Sequence, residues 1–122
     1  MTIPAIRILA ADYDRLAQLA DSRPASLLRE ELARAAIVED AEGSVQMGSR
    51  VCFRDDAGGR VHDVRLVYPA QSDPARGHIS VLTPAGSALL GLETGATMRW
   101  RDQSGRVKEL TVLSIQPEEA SA

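Results

Sequence analysis

The sequence predicts an α+β protein in which a short antiparallel helical hairpin, residues 1–44, precedes an antiparallel sheet domain with one inserted helix, residues 45–122. Apolar residues recur with a helical period up to residue 37, and from Val45 the period becomes two. Turn residues then separate several short alternating runs, among which a single helical run begins at Thr83 and Pro84. Helices and strands are therefore segregated along the chain, as is typical of α+β folds.

The hairpin is built from two short helices. After Ile6 and Ile8, which alternate with polar residues, the apolar spacing becomes helical and predicts a first helix over residues 11–21: Tyr13, Leu16, Ala17 and Ala20. A second helix is predicted over residues 25–37, with Pro24 in its first turn and an apolar stripe at Leu28, Leu32 and Ala35. Arms of about 15–20 Å are marginal alone in water, so we expect this short coiled coil to lean on the sheet domain.

Polar residues mark the outer face and the end of the hairpin. Glu30 precedes Arg34 by four residues on the side opposite the apolar stripe, which favours a surface ion pair. Charged residues and a glycine interrupt both stripes at residues 40–44, which we interpret as the link to the sheet domain.

The sheet domain shows strands separated by recognisable turns. Asp and Gly residues predict a hairpin turn at residues 55–59, and a polar loop follows at residues 69–77. Thr83 and Pro84 form a cap and first-turn pair for a helix that Gly91 terminates. The predicted strands cover residues 50–54, 61–68, 78–82, 97–101 and 107–115, and the inserted helix covers residues 85–90.

The composition restricts the kind of protein. A chain of 122 residues, 44% of them apolar, can bury one substantial core. The single cysteine, Cys52, lies in an apolar run and is expected to be a buried thiol, which fits a reducing cytosol. The N-terminal residues lack the apolar region of a signal peptide, and no stretch supplies the ~20 apolar residues of a membrane helix. We therefore expect a cytoplasmic protein.

Charge is distributed unevenly between the two parts. Residues 1–44 carry 5 Arg and 8 acids, whereas residues 45–122 carry 9 basic residues and 9 acids. Binding to phosphates needs a basic surface, so nucleic acid is expected to be at most an indirect partner. Four arginines are expected to share one sheet face, usually a solvated one, with a macromolecular contact as the open alternative: Arg50, Arg54, Arg60 and Arg65.

Catalytic and metal-binding patterns are not apparent in the sequence. His62 and His78 have no second Cys or close His to complete a metal site. The pair Gly58-Gly59 lacks the Lys and the helix of a phosphate-binding loop and is interpreted as a turn. We therefore predict no catalytic residue, no metal and no cofactor.

Three segments together resemble a known family. They are Gly48-Ser49-Arg50-Val51, the run from His78 to Pro84 that continues to Gly91, and Gly95 just before a strand. This pattern is similar to the C-terminal domain of the Gre transcript-cleavage factors. Further segments resemble the bacterial regulator of nucleoside diphosphate kinase family, a Gre-fold relative with a shortened coiled coil: Leu66-Val67-Tyr68-Pro69-Ala70, Trp100 and Gln116-Pro117-Glu118.

This resemblance implies both a fold and a partner. The sheet domain would be FKBP-like, and the chain would bind RNA polymerase near the secondary channel through which nucleotides enter. Prolyl isomerases also use FKBP folds, but their pocket needs several aromatic walls, and Phe53, Tyr68 and Trp100 more often serve as packing residues. The polymerase-docking segment of the family falls on five residues here: Leu82, Thr83, Pro84, Ala85 and Gly86.

The docking segment differs from Gre factors at one position. Leu82 stands where Gre factors place an Asp before their Ser-Pro pair. If Leu82 is exposed, docking becomes more apolar, and if it is buried, the contact must come from the four residues that follow. Thr83 and Pro84 also have the alternative role of simply capping a helix.

The hairpin tip departs from the Gre pattern as well. Gre factors carry two acids there that help to hold a metal ion for RNA cleavage, and such chemistry needs converging carboxylates. The tip of this chain consists of Asp21, Ser22, Arg23 and Pro24. A cation two residues after the single acid opposes metal binding, and the arm is short, so transcript cleavage is not expected.

The sequence therefore predicts a non-catalytic transcription regulator that binds RNA polymerase near its secondary channel and competes with Gre-type cleavage factors. The alternative partner is nucleoside diphosphate kinase itself, or another protein.

Overall fold

The computed structural model describes residues 6–22, 27–40, 43–56, 58–101 and 104–116. Within these ranges the chain forms three α-helices and two sheets, so the predicted α+β class is confirmed. In chain order the elements are β1 Arg7–Leu9, α1 Ala10–Asp21, α2 Leu27–Arg34, β2 Ala36–Val38, β3 Arg50–Asp55, β4 Arg60–Val67, β5 His78–Ser80, α3 Pro84–Leu89, β6 Thr97–Arg101 and β7 Val107–Gln116.

The helices α1 and α2, the two arms of the predicted hairpin, contact each other, and α2 also contacts α3. Their buried apolar residues come from the predicted stripes, with Leu16 and Ala20 on α1 and Leu28 and Leu32 on α2. The expected start of the second helix at Pro24 lies outside the described residues. None of the helices in the described ranges is long and apolar enough to cross a membrane.

A small parallel sheet connects the base of the hairpin, because β1 leads into α1 and β2 follows α2. The prediction that the second helix continues to residue 37 is wrong, since it ends at Arg34. Ile37 and Val38 are β-branched and pair with β1, and the N–H of Ala36 donates to the carbonyl of Ile6 at 3.0 Å. Pairing with a strand that is distant in sequence therefore overrides the helical pattern.

The larger sheet has the strand order β5-β4-β3-β7-β6. The expectation of a wholly antiparallel sheet is wrong for one pair, because β4 and β5 run parallel. Two 3₁₀ turns, Pro69–Gln71 and Pro74–Arg76, bring the chain back beside β4. There the N–H of Arg65 donates to the carbonyl of Gly77 at 2.8 Å, so the loop itself sets the parallel register.

One face of this sheet is covered, and the other is the open face. Buried side chains of Val51, Phe53 and Leu110 lie on the covered face. Cys52 alternates with them and lies half-buried on the open face, so the expectation of a buried core thiol is wrong. The open face includes Arg50, Cys52, Arg54, Val61, Asp63, Arg65, His78, Thr97, Arg99, Arg101, Val107, Glu109, Thr111, the bulge residue Leu113, Ser114 and Gln116.

The predicted set of four arginines is corrected by the register. Arg50 pairs with Arg65, and Arg54 pairs with Val61, which places these three arginines on the open face. Arg60 pairs with Asp55 and belongs to the covered side. Arg65 is five positions after Arg60, and residues at an odd offset in one strand point to opposite faces.

The core is a single cluster to which both parts of the chain contribute. Ile6 and Ile8 from the first part pack with the leucines that follow α3. Gly91 makes this possible, since a Cβ atom there would lie 2.7 Å from the Cβ of Ile6, and its φ of +80° also favours glycine. The domain boundary at residue 44 therefore stays a prediction. Residues before and after it contribute to the same hydrophobic core.

Candidate functional site

The residues predicted to dock form a tight turn between β5 and α3, residues 80–87, hereafter the β5–α3 loop. Its organising residue is Ser80, whose hydroxyl accepts from the N–H of Leu82 at 3.0 Å. The carbonyl of Ser80 accepts from the N–H of Thr83 at 3.0 Å and from the Thr83 hydroxyl at 2.7 Å. These bonds turn the chain, so β5 ends at Ser80 and the predicted extension to residue 82 is wrong.

The far side of the loop is fixed to the start of α3. The Thr83 hydroxyl accepts from the N–H of Gly86 at 3.0 Å, which confirms the predicted cap, and Pro84 is the first helical residue. The buried hydroxyl of Ser87 donates to the carbonyl of Val81 at 2.6 Å. The loop is thus closed by its own hydrogen bonds at both ends.

The five predicted docking residues differ in exposure. Thr83 and Pro84 are exposed, Leu82 and Ala85 are half-buried, and Gly86 is buried. The sequence leaves open whether Leu82 is exposed or buried. In the structure its side chain is half-buried and packs against the core. A Cβ atom on Gly86 would lie 2.2 Å from the Ser80 carbonyl oxygen, so this position supports the loop and offers almost no surface.

The hairpin tip is only partly described. Asp21 is the last residue of α1, and both Asp21 and Ser22 are exposed. The Ser22 hydroxyl donates to the carbonyl of Leu19 at 2.6 Å and so caps the end of the helix. Arg23 and Pro24 lie outside the described residues. Among the residues that are described, no group of three or more His, Cys, Asp or Glu side chains is placed to hold a metal ion.

Gln46 joins the hairpin to the sheet domain. Its side-chain oxygen accepts from the N–H of Leu9 at 3.0 Å, and its side-chain nitrogen donates to the carbonyl of Arg7 at 2.7 Å. The same nitrogen donates to the Ser44 hydroxyl at 3.0 Å, and the Gln46 N–H donates to the hydroxyl of Ser49 at 2.9 Å. The amide therefore bonds β1 as a neighbouring strand would.

An open cleft of about 980 Å³ lies between α1 and the ends of the sheet strands. On its wall the guanidinium of Arg15 lies 3.8 Å from the centre of the Tyr68 ring, and the Tyr68 hydroxyl lies 3.4 Å from Asp12 Oδ1. Burial, with the nearby Asp12 carboxylate, raises the pKa of Tyr68 to about 12. The phenol is therefore neutral, and α1 contacts the sheet domain through both charged residues.

A buried carboxylate lies on α2. Glu31 is 2% exposed and accepts a hydrogen bond from Arg34 at 2.7 Å. Burial raises the pKa of Glu31, while Arg34 opposes that shift. The prediction paired Arg34 with the exposed Glu30. In the structure the Arg34 guanidinium bonds the buried Glu31 carboxylate, on the side of α2 that packs against the rest of the protein.

The three aromatic residues considered for a proline pocket have separate surroundings. The Phe53 ring stacks on His62, with ring centres 5.1 Å apart, whereas Tyr68 lies under Arg15. Trp100 packs against the core from β6, and its indole N–H is buried without a hydrogen-bond partner within the described part of the chain. These contacts are those of packing residues.

Sequence reasoning did not identify Gln46, Ser80 or Glu31. Each acts through contacts that no periodicity reveals, because a polar residue in a strand or link resembles any solvated one. Ser80 and Ser87 flank Thr83 and Pro84 closely, so a search for side-chain bonds around a predicted cap would have found them.

Comparison with known proteins places these features in a family. Residues 40–117 match the family model described as "Transcription elongation factor, GreA/GreB, C-term", which covers the β5–α3 loop and the whole larger sheet. The chain belongs to this family of transcription elongation factors.

Individual relatives refine the assignment. The chain is 40% identical over 101 residues to the "Regulator of nucleoside diphosphate kinase" of Escherichia coli strain K12, covering 79% of this chain and 74% of the relative. It is 36% identical over 91 residues to the transcription elongation factor GreA of Syntrophobacter fumaroxidans, covering 72% of this chain and 58% of that protein.

A solved structure has a closely similar fold. The "Prokaryotic transcription elongation factor GreA/GreB" from Nitrosomonas europaea superimposes with a TM-score of 0.68 at 35% identity, and the match covers 93% of this chain and 98% of that one. The names of these relatives describe regulators and elongation factors.

Proposed function

We propose that this chain is a non-catalytic transcription regulator that binds RNA polymerase near its secondary channel. The β5–α3 loop is the anchor, with Thr83 and Pro84 as its exposed contacts. The tip residues, Asp21 to Pro24, point toward the channel. In this position the chain competes with Gre-type cleavage factors for the same site.

The observation that carries this proposal is the preformed β5–α3 loop. Six hydrogen bonds within residues 80–87 fix a turn that exposes Thr83 and Pro84. A loop that is ordered before binding loses little conformational entropy on docking, which favours its use as an anchor. A helix cap needs only Thr83, whereas the bonds from Ser80 and Ser87 hold the whole turn.

The alternative hypothesis names a different partner. The relative from Escherichia coli is named for nucleoside diphosphate kinase, so direct binding to that enzyme is the alternative function. Purified kinase in a pulldown with this chain separates the two, because regulation through transcription requires no contact with the kinase.

The proposal is tested with stalled elongation complexes. A cleavage-competent Gre factor is added, this chain is titrated in, and RNA shortening is followed. The test variant is Pro84→Glu, since a first-turn acid suits the helix dipole while changing the docking surface. The matched control is Pro74→Glu, which makes the same change at an exposed proline that begins a 3₁₀ turn.

We expect wild type and Pro74→Glu to suppress RNA shortening and Pro84→Glu to require about tenfold more protein. Suppression that is equal for all three would place the anchor elsewhere. If wild type neither binds core polymerase nor changes cleavage, polymerase is not the partner, and the kinase pulldown becomes the deciding measurement.

A further inference from the structure

The open face of the larger sheet has the anatomy of an interface. Leu113, at a β-bulge in β7, is 39% exposed, and Val61 is 58% exposed. Cys52 lies between them, opposite Ser114 on β7 and diagonal to Val61 on β4, which pairs with Arg54 two residues after Cys52. These three side chains make an apolar centre in the middle strands of the sheet.

Ion pairs surround this centre. Arg50 contacts Asp63 at 3.0 Å, and Arg54 contacts Asp56 at 2.7 Å. Farther along the same face Arg99 pairs with Glu109. Arginine around an apolar core is the composition enriched in protein interfaces.

The proposed loop anchor offers little area by itself. Only Thr83 and Pro84 are exposed there, and Leu82 and Ala85 are half-buried. A specific protein interface uses about 800 Å² per partner, which corresponds to a patch roughly 30 Å across. A polymerase-binding protein therefore needs a further contact surface.

The open face lies within reach of the same partner. Ser80, where the loop begins, pairs with Val67 of β4. Asp63 is four residues earlier on β4, about 14 Å away at the rise of a β-strand. At this separation, an interface about 30 Å across is wide enough to reach from the loop to the apolar centre.

We infer that the open face, centred on Val61, Cys52 and Leu113, is a second contact surface for RNA polymerase. It binds a protein surface that presents an apolar side chain flanked by carboxylates. This inference rests on the function proposed above and names a surface that the loop anchor does not include.

The chemistry of the face favours protein over nucleic acid. Among the described residues of the face its five arginines are accompanied by Asp63, Glu109 and, through Arg54, Asp56, so the positive excess is small. Phosphates gain nothing from Val61 and Leu113, and within the described part of the face the only ring on which a base could stack is that of His78, at the β5 edge. A protein surface that presents an apolar side chain beside a few carboxylates matches both the apolar centre and the small positive excess of the arginines.

The test compares variants that differ in the face they change. Val61→Glu combined with Leu113→Glu alters the apolar centre, and Glu at position 61 lies opposite Arg54, which suits the sheet. Arg60→Glu is the control, because it makes the same change in net charge on the covered side of β4. Thermal unfolding verifies that both variants fold.

Binding to purified core RNA polymerase is measured by fluorescence anisotropy with Pro84→Glu alongside. We expect the double variant to bind about tenfold more weakly and Arg60→Glu to bind as wild type does. If Pro84→Glu weakens binding and the double variant does not, the second surface is refuted while the proposed function stands. If wild type itself does not bind, both fail.

A labelled DNA duplex provides the second arm. One outcome would overturn the inference: wild type binds the duplex, and the double variant loses this binding but still binds polymerase as wild type does. The face would then be a phosphate-binding surface. Loss of polymerase binding with unchanged duplex binding supports it.

Discussion

The β5–α3 loop and the helical hairpin are held in place by different kinds of contact. The side-chain hydrogen bonds that close the loop all lie within residues 80–87, although the N–H of Val81 also donates to the carbonyl of Val67 on β4. The hairpin depends on distant residues, since Gln46 is 37 residues from Leu9 and Tyr68 is 56 residues from Asp12. The loop is therefore ordered locally, whereas the position of the hairpin depends on the finished fold. Disturbing one region should leave the other largely intact.

The largest effect is expected for the loop variant Gly86→Ala. A Cβ atom 2.2 Å from the Ser80 carbonyl oxygen must displace backbone, so we expect a loss of about 3 kcal/mol in the free energy of unfolding, measured by urea denaturation. Gly58→Ala is the matched control, because a Cβ atom there meets nothing within 4 Å. A denaturation midpoint for Gly86→Ala equal to that of the control would show that the loop is looser than its hydrogen bonds indicate.

At the junction with the hairpin, Gln46→Leu is expected to cost about 2 kcal/mol, because it removes three side-chain hydrogen bonds and leaves the Leu9 N–H unpaired. Hydrogen exchange should accelerate at Leu9 and along α1, while the Leu82 and Thr83 amides keep their protection. The exposed Gln18→Leu on α1 serves as control. Equal acceleration in the loop would break the contrast between the two regions.

Thr83→Val tests the loop more gently. The variant keeps the shape of the side chain but removes the acceptor for Gly86 and the donor to Ser80, so we expect a loss of about 1 kcal/mol. Faster exchange should be confined to the first turn of α3. Thr94→Val, at another exposed threonine, is the control. An equal loss of unfolding free energy in this control would show that the Thr83 cap does not stabilise the loop.

The smallest effect concerns the pH dependence of the hairpin. Burial raises the folded-state pKa of Glu31, so the folded state retains a proton that the unfolded state has released. Stability from this group is therefore greatest below its ordinary pKa of 4.5 and falls as pH rises through the folded-state value. Glu31→Gln should flatten this part of the curve of unfolding free energy against pH. The exposed neighbour Glu30→Gln should leave it unchanged, and identical curves for wild type and Glu31→Gln would contradict the assignment.

Local signals in the sequence predicted much of the fold. The bounds of β6 were predicted correctly, and so were the Thr83 cap and the first helix to within a residue, because each depends on neighbours within a turn or two. The open-face position of Cys52 was also available, since it alternates with Val51 and Phe53. The apolar neighbours of Cys52 suggested that its side chain is buried, but the alternation of side chains along β3 places it on the open face.

The remaining features depend on contacts between distant residues. Nothing near Ile37 indicates that it leaves a helix to pair with β1, and nothing in residues 69–77 indicates that β5 returns parallel to β4. In the candidate site the family pattern located Thr83 and Pro84, but only the fold shows that Gly86 faces inward. The partners of Gln46, 37 and 39 residues away, are likewise set by tertiary packing, whereas those of Ser80 are local.

The pairing of β1 with β2 fixes the entrance and the exit of the helical hairpin side by side. The hairpin is consequently an insert on a constant base, and its length is independent of that base. Seven residues added to each helix at the tip end would lengthen the arm by about 10 Å and repeat the apolar stripe. A chain of this design has an adjustable reach, since hairpins of different lengths can be built on the same β1–β2 base.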